Sequence, residues 1–214
     1  MTREQDHLEP RWPASLALLA CVGLYIALPD RLVVGPRWLV PVLVALPLLP
    51  LSARRHRHPN DAPWVRVLSL SLIGLVTIAN TTSVVLLVHR LLNANVSQGR
   101  NLIYSAVSVW LTNVIVFGLW LWEIDMGGPH IRAGNDTRFP DIQFPQTENP
   151  ELAPTGWRPR FIDYLYTSFA NGTSFAPADA MPLTPIAKTL FATESVVSLI
   201  TIAVVAARAV NILR

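Results

Sequence analysis

The chain has 214 residues, of which 51% are apolar and 14% are charged, and its formal net charge is +3 at pH 7. Soluble domains carry about 25% charged residues, so this composition excludes an ordinary water-soluble protein and predicts an integral membrane protein in contact with membrane lipid. The positive charge does not indicate nucleic-acid binding, because the basic residues are scattered beside apolar runs instead of clustering on one polar face. The lone cysteine, Cys21, excludes an intrachain disulfide.

The amino-terminal half, residues 1–122, contains four apolar runs that predict a four-span scaffold. A helix needs about 20 residues to cross the hydrocarbon core of a bilayer. Residues 65–87 and 102–122 reach that length, and residues 12–28 fall slightly short of it but carry no charge. The remaining run, residues 32–51, is interrupted by prolines. Two interpretations of it stay open, a kinked span that begins near Leu32 and a re-entrant segment.

Residues 123–160 differ in composition from the runs around them. They contain six prolines, six acidic residues and four arginines. Such a composition favours extended or irregular structure, and connections of this length usually have a function. We therefore expect a proline-rich polar loop, and a cap packed over the following segment is one arrangement that this loop allows.

The carboxyl-terminal segment, residues 161–214, is the most informative part of the chain. Phe161–Phe175 is apolar and aromatic but too short to span. Residues 176–185 contain three prolines that interrupt helical hydrogen bonding, and residues 186–213 form an apolar run long enough to span. This order predicts a short re-entrant helix followed by the last transmembrane helix. Because irregular backbone is tolerated at membrane depth only where it is buried in protein or lines water, the segment predicts a pore or a buried site.

Residues 167–194 resemble the pore loop and the start of the inner helix of two-transmembrane-type potassium channels, aligned without gaps. Matching residue types stand at Ser168, Phe169, Thr173, Ser174, Asp179, Pro182, Thr184 and Glu194. Lys188 takes the place of an arginine of the channels. The filter departs from the channel pattern, because the chain has Phe-Ala-Pro-Ala at residues 175–178 where the channels have Val-Gly-Tyr-Gly.

The channel resemblance implies a pore element and an oligomer. It makes seven consecutive residues pore-like or filter-like, namely Thr173, Ser174, Phe175, Ala176, Pro177, Ala178 and Asp179. One pore unit per chain implies a homotetramer, with a monovalent cation as the permeant ion. The channel filter needs glycines to present its carbonyl oxygens to a dehydrated ion, so their replacement implies weak selectivity. The resemblance also gives Asp179 the role of bracing the filter from behind. An alternative stays open, in which Asp179 accepts hydrogen bonds from backbone amides of the turn before the last helix.

A second resemblance, over residues 161–213, is to a family of uncharacterised bacterial integral membrane proteins with a similar carboxyl-terminal pattern. This resemblance implies a multi-pass protein of the bacterial inner membrane. It implies no activity.

Glu194 is an ionisable residue predicted to lie deep within the last span, about 14 Å from the start of that helix by helical rise. Carboxyl groups at such depth are rare, and they face the interior of a bundle or water. Two roles stay open for Glu194. One is a structural hydrogen bond to a neighbouring helix, and the other is a position on a transport path.

Enzyme chemistry is not indicated by the sequence. The chain has no nucleophile motif, no phosphate-binding glycine loop and no paired-cysteine zinc pattern. We therefore expect no catalytic residue, no metal and no cofactor.

The sequence as a whole predicts an all-α integral membrane protein with about five transmembrane helices and a short re-entrant, pore-like helix. The predicted function is an ion channel of weak selectivity, and the alternative is a non-conducting membrane scaffold or accessory protein. The distribution of arginines does not decide the orientation. The channel resemblance places residues 123–160 outside and the carboxyl terminus in the cytoplasm.

Overall fold

The computed structural model describes residues 12–33, 35–53, 63–93, 99–132, 138–175 and 179–212. The α-helices in these residues are α1 (Trp12–Ala27), α2 (Leu39–Ala53), α3 (Pro63–Asn93), α4 (Gly99–Ile124), α5 (Pro129–Arg132), α6 (Pro145–Glu148), α7 (Phe161–Ser174) and α8 (Pro185–Ile212). Two short strands, β1 (Ile142–Gln143) and β2 (Met181–Pro182), pair antiparallel. The predicted all-α class is confirmed.

Three helices are long and apolar enough to cross a membrane, over Trp64–Arg90, Ile103–Gly127 and Pro185–Ala207. Helices α1 and α2 are also apolar, but they have 16 and 15 residues. At ~1.5 Å per residue each is about 23 Å long, which is less than the ~30 Å of a hydrocarbon core. By length and composition the described residues therefore support three spans instead of the predicted five.

Helix α2 begins at Leu39, so the predicted start near Leu32 is wrong. Residues Asp30–Leu32 form a 3₁₀ turn instead. Gly35 then has a φ of 79°, which glycine adopts without steric cost. Pro41 lies in the first turn of α2, where an amide N–H has no helical partner in any case.

Helix α4 lies at the centre of the bundle and packs against α1, α3, α7 and α8. Two aromatic contacts give the direction of α7 along it. Trp122, near the end of α4, meets Phe161 edge-on with ring centroids 5.9 Å apart. Trp110, in the middle of α4, meets Phe169 edge-on at 5.9 Å. Helix α7 therefore starts at the end of α4 and runs antiparallel to it.

Two glycines allow α7 to lie close to its neighbours. A Cβ atom on Gly118 of α4 would lie 3.1 Å from Leu165 Cα, which is tighter than ordinary packing. A Cβ atom on Gly172 of α7 would lie 3.1 Å from Ser198 Oγ of α8 and 3.3 Å from Val114 Cγ2 of α4. Small residues of this kind let helix backbones approach closely inside membranes.

Helix α8 starts at the same end of the bundle as α7. Its first turn contains Pro185, and the Ala187 N–H donates to Thr184 Oγ1 at 3.3 Å, so Thr184 is the N-cap. Farther along, Asn113 Nδ2 in the middle of α4 donates to Ser198 Oγ at 3.1 Å. Helix α8 therefore runs parallel to α7 and antiparallel to α4, and both α7 and α8 begin at the end of the bundle where α4 ends.

Residues 138–160, which we call the cap, fold over that end of the bundle. Strand β1 of the cap pairs with β2, just before α8, with Ile142 opposite Pro182. The Phe144 ring packs edge-on against Trp157 at 6.0 Å and against Tyr164 of α7 at 5.2 Å. The cap therefore contacts both helices of the carboxyl-terminal segment.

Candidate functional site

Helix α7 has one buried face and one exposed face. The buried positions recur at intervals of three or four residues, as expected for a helix covered on one side, and include Phe161, Tyr164, Thr167, Ser168, Ala170, Asn171 and Gly172. The exposed positions include Ile162, Tyr166 and Phe169. Several of the buried side chains are polar, so α7 presents hydrogen-bonding groups to α4 and α8.

Both ends of α7 are defined by hydrogen bonds. At the start, the Arg160 N–H donates to Asp163 Oδ2 at 2.7 Å. This side-chain acceptor gives a partner to an amide group that has none within the helix. At the end, Phe175 adopts a left-handed conformation with φ 57°, and its N–H donates to Asn171 O at 2.9 Å. This conformation costs a residue with a side chain about 1–2 kcal/mol of free energy, because its Cβ atom lies too close to the following carbonyl oxygen. The turn at Phe175 ends α7 and redirects the chain.

A buried polar cluster joins α4, α7 and α8, and we call it the polar junction. It consists of Asn113, Ser168, Asn171, Glu194 and Ser198, all of which are buried. Asn171 Nδ2 donates to Glu194 Oε2 at 2.8 Å, and Ser168 Oγ forms a hydrogen bond with Glu194 Oε1. The side chain of Glu194 thus faces α7 from inside the bundle.

Backbone carbonyl groups extend the polar junction. Ser168 Oγ donates to Val114 O of α4 at 2.7 Å. Asn171 Nδ2 donates also to Phe191 O of α8 at 3.0 Å, and its Oδ1 accepts from Ser195 Oγ at 3.0 Å. Every hydrogen bond of this group runs between helices, so the polar junction fixes how deeply α7 lies beside α4 and α8.

A second cluster, which we call the carboxylate clasp, connects the end of α4 to the cap, α7 and α8. It consists of Asp125, Asp141, Tyr164 and Thr184. Asp125 Oδ1 accepts from the Asp141 N–H at 2.9 Å, and Oδ2 accepts from Tyr164 Oη at 2.5 Å. Asp141 Oδ2 accepts from the Met126 N–H at 3.1 Å, and Oδ1 accepts from Thr184 Oγ1 at 2.6 Å.

Arg132 of α5 supplies a buried positive charge beside the carboxylate clasp. Its Nη1 donates to Asp125 O at 2.9 Å and to Trp122 O at 3.2 Å, and it lies 3.9 Å from Asp125 Oδ2. The guanidinium carbon also lies 4.9 Å from the centre of the Tyr164 ring, within the range of a cation–π contact. Arg132 therefore balances the negative charge of Asp125, and both carboxyl oxygens of Asp125 accept hydrogen bonds.

The pore-like residues predicted from the sequence lie at the end of α7, on its exposed side. Thr173, Ser174, Phe175 and Asp179 are exposed. Thr173 Oγ1 donates to Phe169 O at 2.8 Å, and Ser174 Oγ donates to Ala170 O at 2.5 Å. The other three filter-like residues, Ala176, Pro177 and Ala178, lie outside the described residues.

Asp141 braces the segment before α8, and the bracing role predicted for Asp179 stays a prediction. Asp141 accepts from Thr184 Oγ1 through its side chain, and its backbone carbonyl accepts from the Leu183 N–H at 2.9 Å. Asp179 is exposed and, together with Asp163, lines a cleft of about 90 Å³ between the cap and α7. Across the part of the chain that the structure describes, no three His, Cys, Asp or Glu side chains come together as a metal site would need.

Sequence reasoning identified Glu194 and one of its two side-chain partners, Ser168, but not the other, Asn171. Asn171 lies three positions after Ser168 on the same helix face, and that spacing was the available signal. The carboxylate clasp was also missed, because Asp125 and Asp141 fall in a polar loop whose fold has no periodic pattern. The position of Asp125 directly after a span was the available signal.

No protein-family model, no curated protein and no solved structure matches this chain. The arrangement of the polar junction, the carboxylate clasp and the exposed end of α7 is therefore the basis for the functional argument.

Proposed function

We propose that this chain is a multi-pass protein of a bacterial inner membrane in which α7 and residues 175–180 form a re-entrant, channel-like pore element. Several chains, four by the channel resemblance, would enclose a path for monovalent cations. The observation that carries the proposal is that α7 and α8 start at the same end of the bundle and run parallel, so the chain dips beside α4 and returns.

The depth of this dip supports a re-entrant element. Helix α7 has 14 residues, which is about 21 Å at ~1.5 Å per residue. Its end lies beside Trp110, whose Nε1 donates to Gly172 O at 3.3 Å. Non-helical backbone at membrane depth needs protein or water around it, which a pore or a buried site supplies.

The chemistry at the end of α7 favours a cation. The carboxyl-terminal end of a helix carries a partial negative charge, which attracts cations. The hydroxyl groups of Thr173 and Ser174 donate their hydrogens back to α7 and so present oxygen lone pairs outwards. Asp179 adds a negative charge beyond the turn. An anion would meet no compensating donor among these groups.

The composition of the filter-like residues favours weak selectivity between potassium and sodium. The carbonyl rings of potassium filters depend on glycines, and this chain has Ala176, Pro177 and Ala178 in that place. Pro177 also removes a backbone N–H that could anchor the return to its surroundings. We therefore propose that the hydroxyl groups of Thr173 and Ser174 form the narrowest polar ring of the path.

A non-conducting membrane scaffold is the second candidate, and one observation favours it. Glu194 is completely buried, and both of its carboxyl oxygens have hydrogen-bond partners within the same chain. A carboxyl group whose two oxygens both form hydrogen bonds within the protein does not need water beside it. On this alternative, the polar junction serves only to hold α7 against α4 and α8.

Ion flux into liposomes that contain the purified protein tests the proposal. We expect flux of potassium and sodium at similar rates, and a clear reduction in the Thr173→Val variant. Thr82→Val is a matched control, because Thr82 is half-buried on α3 and its Oγ1 also donates to its own helix, at 2.7 Å from Ile78 O. A strong preference for potassium would contradict the predicted selectivity. Absence of flux under varied pH, voltage and calcium would favour the scaffold.

A further inference from the structure

The hydrogen-bonding positions of Ser168 determine where a proton must lie in the polar junction. Its hydroxyl group has a single hydrogen but contacts two oxygens, Val114 O at 2.7 Å and Glu194 Oε1. The carbonyl group of Val114 can only accept, so the hydrogen of Ser168 lies between Ser168 Oγ and Val114 O. The contact between Ser168 Oγ and Glu194 Oε1 then lacks a hydrogen unless the carboxyl group supplies it.

Asn171 identifies which carboxyl oxygen carries that hydrogen. Asn171 Nδ2 faces Phe191 O at 3.0 Å, and Asn171 Oδ1 faces Ser195 Oγ at 3.0 Å, so the orientation of the amide group is fixed by two further partners. The same Nδ2 donates to Glu194 Oε2 at 2.8 Å. Oε2 is therefore the accepting oxygen, and Oε1 is the protonated one that donates to Ser168.

Among the residues that the structure describes, no charged side chain contacts the carboxyl group of Glu194. Within the described residues its carboxyl oxygens contact Ser168 and Asn171, both uncharged. The described titratable and charged side chains of the helices that pack there form no hydrogen bond or ion pair with Glu194. They are Tyr104 and Glu123 of α4, Asp163, Tyr164 and Tyr166 of α7, Lys188 of α8, and Arg66, His89 and Arg90 of α3. A buried carboxylate without a cation is far more costly than a neutral, hydrogen-bonded acid.

We propose that Glu194 is a proton-binding site that holds α7 against α8. In the protonated form, Glu194 donates to Ser168, and Ser168 donates to Val114 O. These two hydrogen bonds connect α8 to α7 and α7 to α4, and the first of them requires the carboxyl proton. When the carboxyl group releases that proton to water, Ser168 Oγ and Glu194 Oε1 face each other without a hydrogen between them. Ser168 can restore that hydrogen bond only by giving up its hydrogen bond to Val114 O. The contact between α7 and α8 is therefore firm at lower pH and weakens as the pH rises.

Infrared spectroscopy of the full chain in lipid nanodiscs tests the proposal directly. We expect a carbonyl-stretch band of a protonated carboxylic acid at neutral pH, and we expect Glu194→Gln to remove it. Glutamine keeps one donor for Ser168 and one acceptor for Asn171, so this variant should fold. Glu148→Gln is the matched control, because Glu148 is exposed in the cap and its loss should leave the band unchanged. A wild-type spectrum without the band, or a band that persists in Glu194→Gln, would overturn the proposal.

The pH dependence of stability gives a second readout. The thermal unfolding midpoint of the wild type should fall as the pH rises, in step with the decline of the infrared band, whereas Glu194→Gln should show little such dependence. Equal slopes in the wild type and in Glu194→Gln would refute the proposal. If Glu194→Gln does not fold, the wild type alone still tests the proposal. Its infrared band and its unfolding midpoint must decline over the same pH range, and a decline of one without the other would refute the proposal. Neither readout requires conduction, so the inference stands or falls independently of the proposed channel.

Discussion

Asp125 and Asp141 each accept a hydrogen bond from the backbone of the other's segment. Asp125 Oδ1 accepts from the Asp141 N–H at 2.9 Å, and Asp141 Oδ2 accepts from the Met126 N–H at 3.1 Å. Their remaining oxygens accept from Tyr164 of α7 and from Thr184 before α8. The two carboxyl groups thus join the end of α4 to the starts of both helices in the carboxyl-terminal segment.

This arrangement predicts that Asp141, not Asp179, supports the fold. Asp141→Ala removes the acceptor for the Met126 N–H and for Thr184 Oγ1, so we expect it to lower the free energy of unfolding by about 1–3 kcal/mol. Asp179→Ala deletes the same group at an exposed position and should change the free energy of unfolding by no more than about 0.5 kcal/mol. Unfolding of both purified variants in the same detergent compares them, and a larger loss for Asp179→Ala would contradict this assignment.

The hydroxyl group of Tyr164 is predicted to stabilise the fold through its hydrogen bond to Asp125. Tyr164→Phe removes only that hydroxyl group and should cost about 1.5–3 kcal/mol, the usual range for a hydrogen bond to a charged group. Tyr166→Phe is the matched control, because Tyr166 lies on the exposed face of the same helix. Thermal unfolding of the two variants measures the difference. Equal midpoints would show that the Tyr164 hydroxyl contributes nothing beyond the ring.

Close approach of α4 and α7 predicts a specific sensitivity at Gly118. Gly118→Ala adds a Cβ atom 3.1 Å from Leu165 Cα, and because a backbone atom cannot move easily, we expect a loss of about 1–3 kcal/mol. Gly74→Ala in α3 meets nothing within 4 Å and should be neutral or stabilising by up to about 1 kcal/mol. Unfolding midpoints measured side by side provide the comparison. A harmless Gly118→Ala would mean that α7 can move away from α4.

The direction of α8 predicts the membrane topology of the two ends of the carboxyl-terminal segment. Because α8 starts under the cap and is long enough to span, reporter fusions within residues 138–160 and after Arg214 should lie on opposite sides of the membrane. The channel resemblance places the second reporter in the cytoplasm. Reporters on the same side would show that α8 does not cross, whereas opposite sides with the cap in the cytoplasm would contradict the extracellular pore loop alone.

The sequence by itself located the long helices, although it placed the start of α2 and the end of α3 several residues away from where they lie. Apolar length and proline positions located α7 and α8, because these properties act locally along the chain. Hydropathy also marked Glu194 as unusual, since a carboxyl group in an apolar run is costly wherever the helix packs. The count of spans was less secure, because apolar composition does not show that α1 and α2, with 16 and 15 residues, are too short for a full crossing.

Only the tertiary structure decided what each polar residue contacts. The partners of Glu194 are 23 and 26 residues away, at Asn171 and Ser168, and Asp125 meets Asp141 across a turn with no periodic pattern. Hydrogen bonds of this kind depend on the relative depth of packed helices, which close contacts such as Gly118 against Leu165 set. Local propensity carries no information about that depth. For this reason the contacts of Asp141 with Thr184 and Met126 could not be predicted from the sequence.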